Sequence, residues 1–322
     1  MKITIKREQS KPTVWALPSV SNLRDAGAKT TIKKLLFAAC AALLLATGCD
    51  VKDPIYATSH PEHGVITLTT DWTERTPGID IPAAYTVTTD GYTATFSSAT
   101  NELEHLFTPG THHLRVYNTP EHITVSGATA TLATATGNVI GAGAFVHAAP
   151  GWLFTSTVDA EIEKDTDYEL TATMQQQVRR LTFVIEPTGG TVNQIESIEG
   201  YLSGAAGTLD MDAGTHGTPS NVALEFARIT EGADAGKWSA TVRLLGTSGA
   251  QQRLHAQIRF ADARPSAVTL DSDLSADLAA FNADKKTPLV LGGTVVETPT
   301  EAGFSATIED WKPVQGGSVE AN

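Results

Sequence analysis

From Gly64 onward almost every apolar run alternates with a period of two, and that alternation limits the chain to sheets with one buried face. Ile66, Leu68, Thr70 and Trp72 share one side of such a run, and Tyr92, Ala94 and Phe96 share another with Thr93 and Thr95 opposite. The pattern returns at Trp152, Phe154, Val158, Ala160 and Ile162, and at Tyr168, Leu170, Ala172 and Met174. It continues through Leu181, Phe183 and Ile185, then Val222, Leu224 and Phe226, then Trp238, Ala240, Val242 and Leu244. Leu254, Ala256, Ile258 and Phe260 follow, and Phe304, Ala306 and Ile308 close the series. Threonine is frequent on the opposite faces, where a pleated, half-exposed surface favours it. Asp90-Gly91 between Thr89 and Tyr92 is the chemistry of a tight hairpin turn. Gly189-Gly190, Gly204 to Gly207, Gly214 to Gly217 and Gly292-Gly293 are expected to mark further loops.

One segment departs from this rhythm. Asp273 to Phe281 places Leu274, Leu278 and Phe281 at helical spacing behind an Asp or Ser cap, and predicts a short helix in a strand crossover. Strand after strand with so little helix predicts an all-β protein made of β-sandwiches rather than alternating βαβ units. The polar stretch Gln175-Gln176-Gln177-Val178-Arg179-Arg180 lies between two strand patterns and marks the expected join, giving an N-terminal sandwich over 65–177 and a C-terminal one over 178–322.

Ahead of the sheets, Lys33-Lys34 precede an apolar run from Leu35 that closes on Gly48-Cys49. About a dozen apolar residues suit a secretory signal and fall short of the roughly 18 needed to cross a bilayer. Leu45-Ala46-Thr47-Gly48-Cys49 resembles the lipobox, in which cleavage precedes a diacylglycerol-bearing cysteine; Ala46 stands where leucine is usual. Residues 1–48 therefore read as leader and signal peptide, with Cys49 as the lipid-attachment residue and 49–64 as a tether carrying Asp50, Lys52, Asp53, Pro54 and Glu62. Residues 1–31 have no periodicity and belong outside the fold, whether they come from a start assigned too far upstream or from a long leader.

The chain has two cysteines, and Cys40 lies in the signal, so a lipidated Cys49 leaves no disulfide. An exported chain without one depends on its hydrophobic cores. The remaining 274 residues carry 15 basic against 34 acidic side chains, a net charge of −19. Such a surface repels phosphate backbones and anionic lipid, which argues against nucleic acid as a partner and leaves the lipid as the contact with the membrane.

Reactive constellations are sparse. His112 and His113 are adjacent, so on a strand they point to opposite faces and cannot share an ion; His60 and His63 flank Pro61-Glu62 in the tether. Gly141-Ala142-Gly143-Ala144 lacks the lysine and hydroxyl residue of a phosphate loop. Asp159, Glu161, Glu163, Asp165, Asp210 and Asp212 lack calcium-loop spacing and read as a solvated face. No nucleophile elbow, zinc-helix motif or spare cysteine is present, so the expectation is a non-enzyme with no cofactor and no metal. Trp152 and Trp238 run in phase with core positions. Trp72 and Trp311 sit near strand ends and are the candidate contact aromatics of the alternative reading, a glycan-binding outer-membrane lipoprotein.

The order of these pieces resembles the fimbrillin-type lipoproteins of Bacteroidales, the anchor or accessory subunits of the FimB kind. The likeness is carried by the signal ending at Cys49, Asp53 to His63 leading into Gly64 to Trp72, His113-Leu114-Arg115-Val116-Tyr117-Asn118, Pro150 to Phe154, and Met174 to Phe183, with Tyr201 to Gly204 and Leu244 to Gly246 later. It implies two tandem transthyretin-like, Greek-key β-sandwiches and a role in a surface fimbria. Subunits of that family associate by strand addition, so the implied partners are other fimbrial subunits, and the implied location is the outer membrane through the lipid anchor. Acidic residues after the lipid cysteine are associated there with transfer to the outer face.

Overall fold

The computed structural model describes residues 58–136, 141–188, 194–261, 267–300 and 303–314. The elements named among these residues are all strands. In chain order these are β1 Gly64–Asp71, β2 Tyr85–Thr89, β3 Tyr92–Phe96, β4 Thr100–Glu102, β5 Gly110–Tyr117, β6 Ile123–Ser126 and β7 Thr129–Leu132. Next come β8 Thr134–Ala135, β9 Phe145–Val146, β10 Phe154–Ile162, β11 Thr166–Thr173, β12 Gln175–Gln176 and β13 Arg179–Pro187. The series ends with β14 Ile195–Asp210, β15 Thr215–Arg228, β16 Trp238–Leu244, β17 Arg253–Phe260, β18 Val268–Asp273, β19 Leu289–Thr300 and β20 Gly303–Pro313.

Two sheets form the first sandwich, β11-β1-β4 and β12-β10-β5-β2-β3. The alternation read in the sequence is what brings them together. Ile66 and Leu68 of β1, Val158, Ala160 and Ile162 of β10, and Tyr168, Leu170 and Ala172 of β11 all turn into one core with Trp72, Phe107, Phe154 and Met174. β1 runs parallel to β11 in continuous register from Gly64↔Thr166 to Asp71↔Thr173. The hairpin at Asp90-Gly91 joins β2 to β3, with Gly91 at φ 74°.

The second sandwich is one folded-over run of strands, β18-β17-β14-β15-β16-β13-β19-β20. The end of β15 passes to the second layer through Ala227↔Ser239 and Arg228↔Trp238. At the opposite side Trp311 Nε1 of β20 donates to Ser272 Oγ of β18 at 2.8 Å. Strands β6 to β9 also join this body, because β7 pairs with β14 and β9 pairs with β15, so the expected N-terminal unit over 65–177 contains a segment that packs with the second sandwich. Ile123, Ala130, Leu132 and Val146 accordingly lie in the second core.

Two sequence expectations need correction. Residues 275–283 form successive turns instead of a helix. A single helical bond, Leu278 N–H to Leu274 O at 2.9 Å, is followed by tighter ones such as Phe281 N–H to Leu278 O at 2.9 Å. The helical spacing still does its packing work, since Leu274, Leu278 and Phe281 are fully buried. Most of the stability of so short a helix would come from packing its apolar face, and the turns already bury all three side chains. The glycine clusters Gly204 to Gly207 and Gly292-Gly293 also lie inside strands, at the register shifts of β14 and β19, rather than in loops. Gly204 sits at φ 73°, and a Cβ there would lie 2.4 Å from Gln251 O. A bulge that needs a left-handed residue and a close backbone approach selects glycine for both reasons.

Gly204→Ala is therefore expected to destabilise the protein by about 1–3 kcal/mol, measured by urea unfolding at equilibrium. Loss of less than about 0.5 kcal/mol would mean that the bulge is not strained.

Candidate functional site

The two sandwiches meet where the chain leaves one core for the other, between buried Met174 of the first and buried Val178 of the second. Gln176, 4% exposed, holds this point. Its Nε2 donates to Val178 O and to Lys285 O, each at 2.8 Å, while its Oε1 accepts from Thr76 N–H at 2.9 Å. One side-chain amide thus ties the β1–β2 loop, the linker and the 282–287 loop together, with every N–H used. Beside it, buried Arg179 donates to Phe281 O at 2.9 Å and to Thr287 O at 2.6 Å, with its guanidinium 4.8 Å from the Phe281 ring centroid.

Lys285 extends the same contact. Its Nζ meets His216 Nε2 at 2.7 Å, Leu245 O at 3.0 Å, Gln177 O at 3.2 Å and Gln177 Oε1 at 3.3 Å. Burial, and then the charge of Arg179, push the Lys285 ammonium down to about 7. Burial and the adjacent ammonium push His216 down to about 4, so that Nε2 is left as an acceptor. Gly246 makes room for this ring: a Cβ there would lie 2.3 Å from His216 Cδ2.

A second contact crosses the joint about the β14–β15 turn. Asp212 accepts from Arg115 Nε at 2.7 Å and from Arg115 Nη2 at 2.5 Å, and His113 Nε2 lies 3.0 Å from Asp212 Oδ1. His113 Nδ1 reaches Asp159 Oδ1 at 2.6 Å on the neighbouring strand. The Arg115 bonds, followed by those of His113, hold the Asp212 carboxyl down at about 2. The hydrogen bond to Asp159, and then that to Asp212, raise His113 above its usual value. Between the two contacts lies a cleft of about 1010 Å³, bounded by Thr155, Thr157 and Thr173 on the first sandwich and by Gly214, His216 and Lys285 on the second.

The residues singled out in the sequence distribute differently. Cys49 lies outside the described residues. Trp72 is 8% exposed in the first core, edge-on to Phe154 at 5.5 Å, and its Nε1 donates to Thr70 Oγ1 at 3.0 Å. Trp311 is half-buried against the second core, edge-on to Phe183 at 5.7 Å. Trp238 is buried, and half-buried Trp152 packs against both cores beneath the Arg243 guanidinium, 5.2 Å from the ring. None of these four tryptophans forms part of the cleft. His60 is buried, with Nε2 2.8 Å from Asp167 Oδ1 and Nδ1 2.9 Å from His63 O, and Thr58 N–H donates to Asp165 Oδ1 at 3.0 Å. Among the described residues no three or more His, Cys, Asp or Glu side chains converge as metal ligands would.

The sequence match that decides identity covers residues 79–315, which fit the family model of the fimbrillin-A associated anchor proteins Mfa1 and Mfa2. The chain belongs to the fimbrillin-A associated anchor protein family. It is accordingly a fimbrial anchor or accessory protein with an all-β body. The fold agrees with that of the fimbrial anchor protein Mfa2 from Porphyromonas gingivalis, at a TM-score of 0.50 and 15% identity over 77% of this chain and 98% of that one. It also agrees with a candidate adhesin from Bacteroides ovatus, at a TM-score of 0.52 and 17% identity over 76% of this chain and 92% of that one. Among curated proteins, none matches this anchor-family chain.

Two measurements check the joint of this anchor-family protein. In a double-mutant cycle, Arg115→Ala and Asp212→Ala are expected to show a coupling of about 1 kcal/mol, small because both side chains are about a third exposed. His216 binds its proton less readily folded, near 4, than unfolded, near 6.5, so this imidazole favours the folded state increasingly as pH rises through that window. His216→Gln should therefore flatten the rise of Tm between pH 4 and 6.5 relative to the unaltered protein. Parallel profiles would remove the half-buried imidazole from the joint.

Proposed function

We propose that this protein is a non-enzymatic, lipid-anchored subunit of the outer membrane that holds or caps a fimbria by pairing strands with other fimbrial subunits. The observation that carries the reading is the match of residues 79–315 to anchor proteins. The lipid signal at Cys49 supplies the attachment, and the tether that follows is short. Thr58 and His60 are fixed to Asp165 and Asp167 at the β10–β11 turn. The nine residues from Cys49 to Thr58 then span at most about 30 Å, which holds this end of the first sandwich close to the lipid.

A sheet protein without reactive side chains binds a neighbour through what its fold leaves over, and that is backbone at strand edges. The acidic balance of the mature chain keeps such edges from pairing with copies of itself. The glycan reading lacks its main support, since Trp72, Trp152, Trp238 and Trp311 are packed into or against the two cores and offer no open aromatic platform.

The test is a pull-down from outer membranes with the native protein and with Cys49→Ala. Native protein is expected to co-purify fimbrial subunits, and the variant to leave the membrane fraction. Recovery of oligosaccharide-uptake proteins alone would reject the fimbrial role in favour of a glycan-binding one. Protease added to intact cells is expected to cleave the native protein, as its placement on the outer face requires.

A further inference from the structure

β10 is an edge strand for most of its length. β12 pairs only with its first residues, Phe154↔Gln176 and Thr155↔Gln175, and beyond Thr155 no described strand lies on that side. Two hydrogen bonds set the parity of its backbone. Asn118 N–H donates to Phe154 O, turning the even residues toward β5, and Gln177 N–H donates to Leu153 O, turning the odd ones the other way. Pairing with β5 then continues without a register shift from Thr155↔Tyr117 to Ile162↔Gly110. Thr157, Asp159 and Glu161 therefore direct both N–H and C=O to the unpaired side. Val158, Ala160 and Ile162 between them are buried, so the edge is held rigidly by the core.

This edge begins in the cleft at the joint, where Thr155 and Thr157 face Gly214, His216 and Lys285 across about 1010 Å³. We propose that the open edge of β10 receives an extended strand of a second protein, which continues the sheet where β12 stops and carries basic side chains opposite Asp159 and Glu161. The proposal rests on the strand-pairing reading above and names the edge and the partner chemistry for it. Charge selects the occupant. Asp159 and Glu161 are exposed on the outer side of the strand, and the mature chain carries −19, so a basic strand is attracted while a second copy of this chain is repelled. A backbone edge with donors and acceptors repeating every second residue suits a peptide strand and no smaller ligand.

The experiment uses the full chain and purified fimbriae sheared from the same cells. The amides of Thr157, Asp159 and Glu161 are expected to exchange freely in the protein alone and to become protected when fimbriae are added. Thr157→Pro removes one N–H on the open side, where proline is tolerated in an edge strand, and is expected to weaken binding at least tenfold. Thr157→Val keeps that N–H and is expected to bind normally. The pair Asp159→Lys with Glu161→Lys, which leaves the backbone intact, is expected to weaken binding at least tenfold as well. Thermal unfolding establishes that each variant is folded. Full binding by the charge-reversed pair, or protection confined to other strands, would overturn the assignment of this edge and leave the anchor reading standing. Failure of the unaltered protein to bind fimbriae would instead overturn the anchor reading, and this inference with it.

Discussion

The relative placement of the two sandwiches depends on the amide of Gln176. It is buried where the backbone passes from one core to the next, and its two donors and its acceptor are occupied by three different segments. A buried amide of this kind is strongly directional, because any rotation of one body against the other leaves a polar group unpaired in a dry place. The joint is therefore specified by geometry more than by area. Arg179 and Lys285 add to it with bonds to backbone carbonyls, which are indifferent to the side chains around them. The result is a cleft whose walls have fixed spacing, and fixed spacing is what a strand edge requires of anything placed beside it.

Two sets of protons act on that joint in opposite senses. His113 is raised by Asp159 and Asp212, so its contribution is present below about 6.5 and is lost as pH rises through its higher folded value. His216 and Lys285 are lowered by burial, so their contribution grows as pH rises, first toward 6.5 and then from about 7 upward. The His113 contact thus weakens above about 6.5, while the Lys285 contact strengthens from about 7 upward. The share of the joint carried by each side of the cleft therefore shifts with pH.

Much of the fold was legible because alternation is a local property. Ile66 and Leu68, Leu181 and Ile185, and Leu254 and Ile258 face cores as their spacing requires, and the all-β class follows from them. Pairing partners are not local. Nothing in the run from Ile123 to Val146 distinguishes a strand that will edge β14 and β15 from one that stays with β5, because both cores accept the same short apolar residues. The helix expected at Asp273 to Phe281 failed for a related reason: i, i+4 and i+7 spacing reports which side chains are buried together, and turns bury them equally well. The place of Trp72 at a strand end predicts a contact residue, whereas the structure buries it. Its burial comes from Tyr85 and Phe154, which lie on other strands and cannot be seen from position alone.

The joint was the least legible part, and its signal was present in a form that hides function. Gln175-Gln176-Gln177 reads as a polar linker, and polar linkers are ordinarily solvated. What separates Gln176 from its neighbours is strand parity: β12 turns that one side chain inward while Gln175 stays exposed. The same parity decides which backbone groups of β10 remain open, since Thr155 is the last residue that β12 satisfies. A strand of two residues therefore does two jobs. It supplies the amide that locks the bodies together, and by stopping early it leaves the backbone groups of Thr157, Asp159 and Glu161 without a partner among the described strands. The length of this short strand, more than any reactive side chain, therefore sets where the open edge of β10 begins.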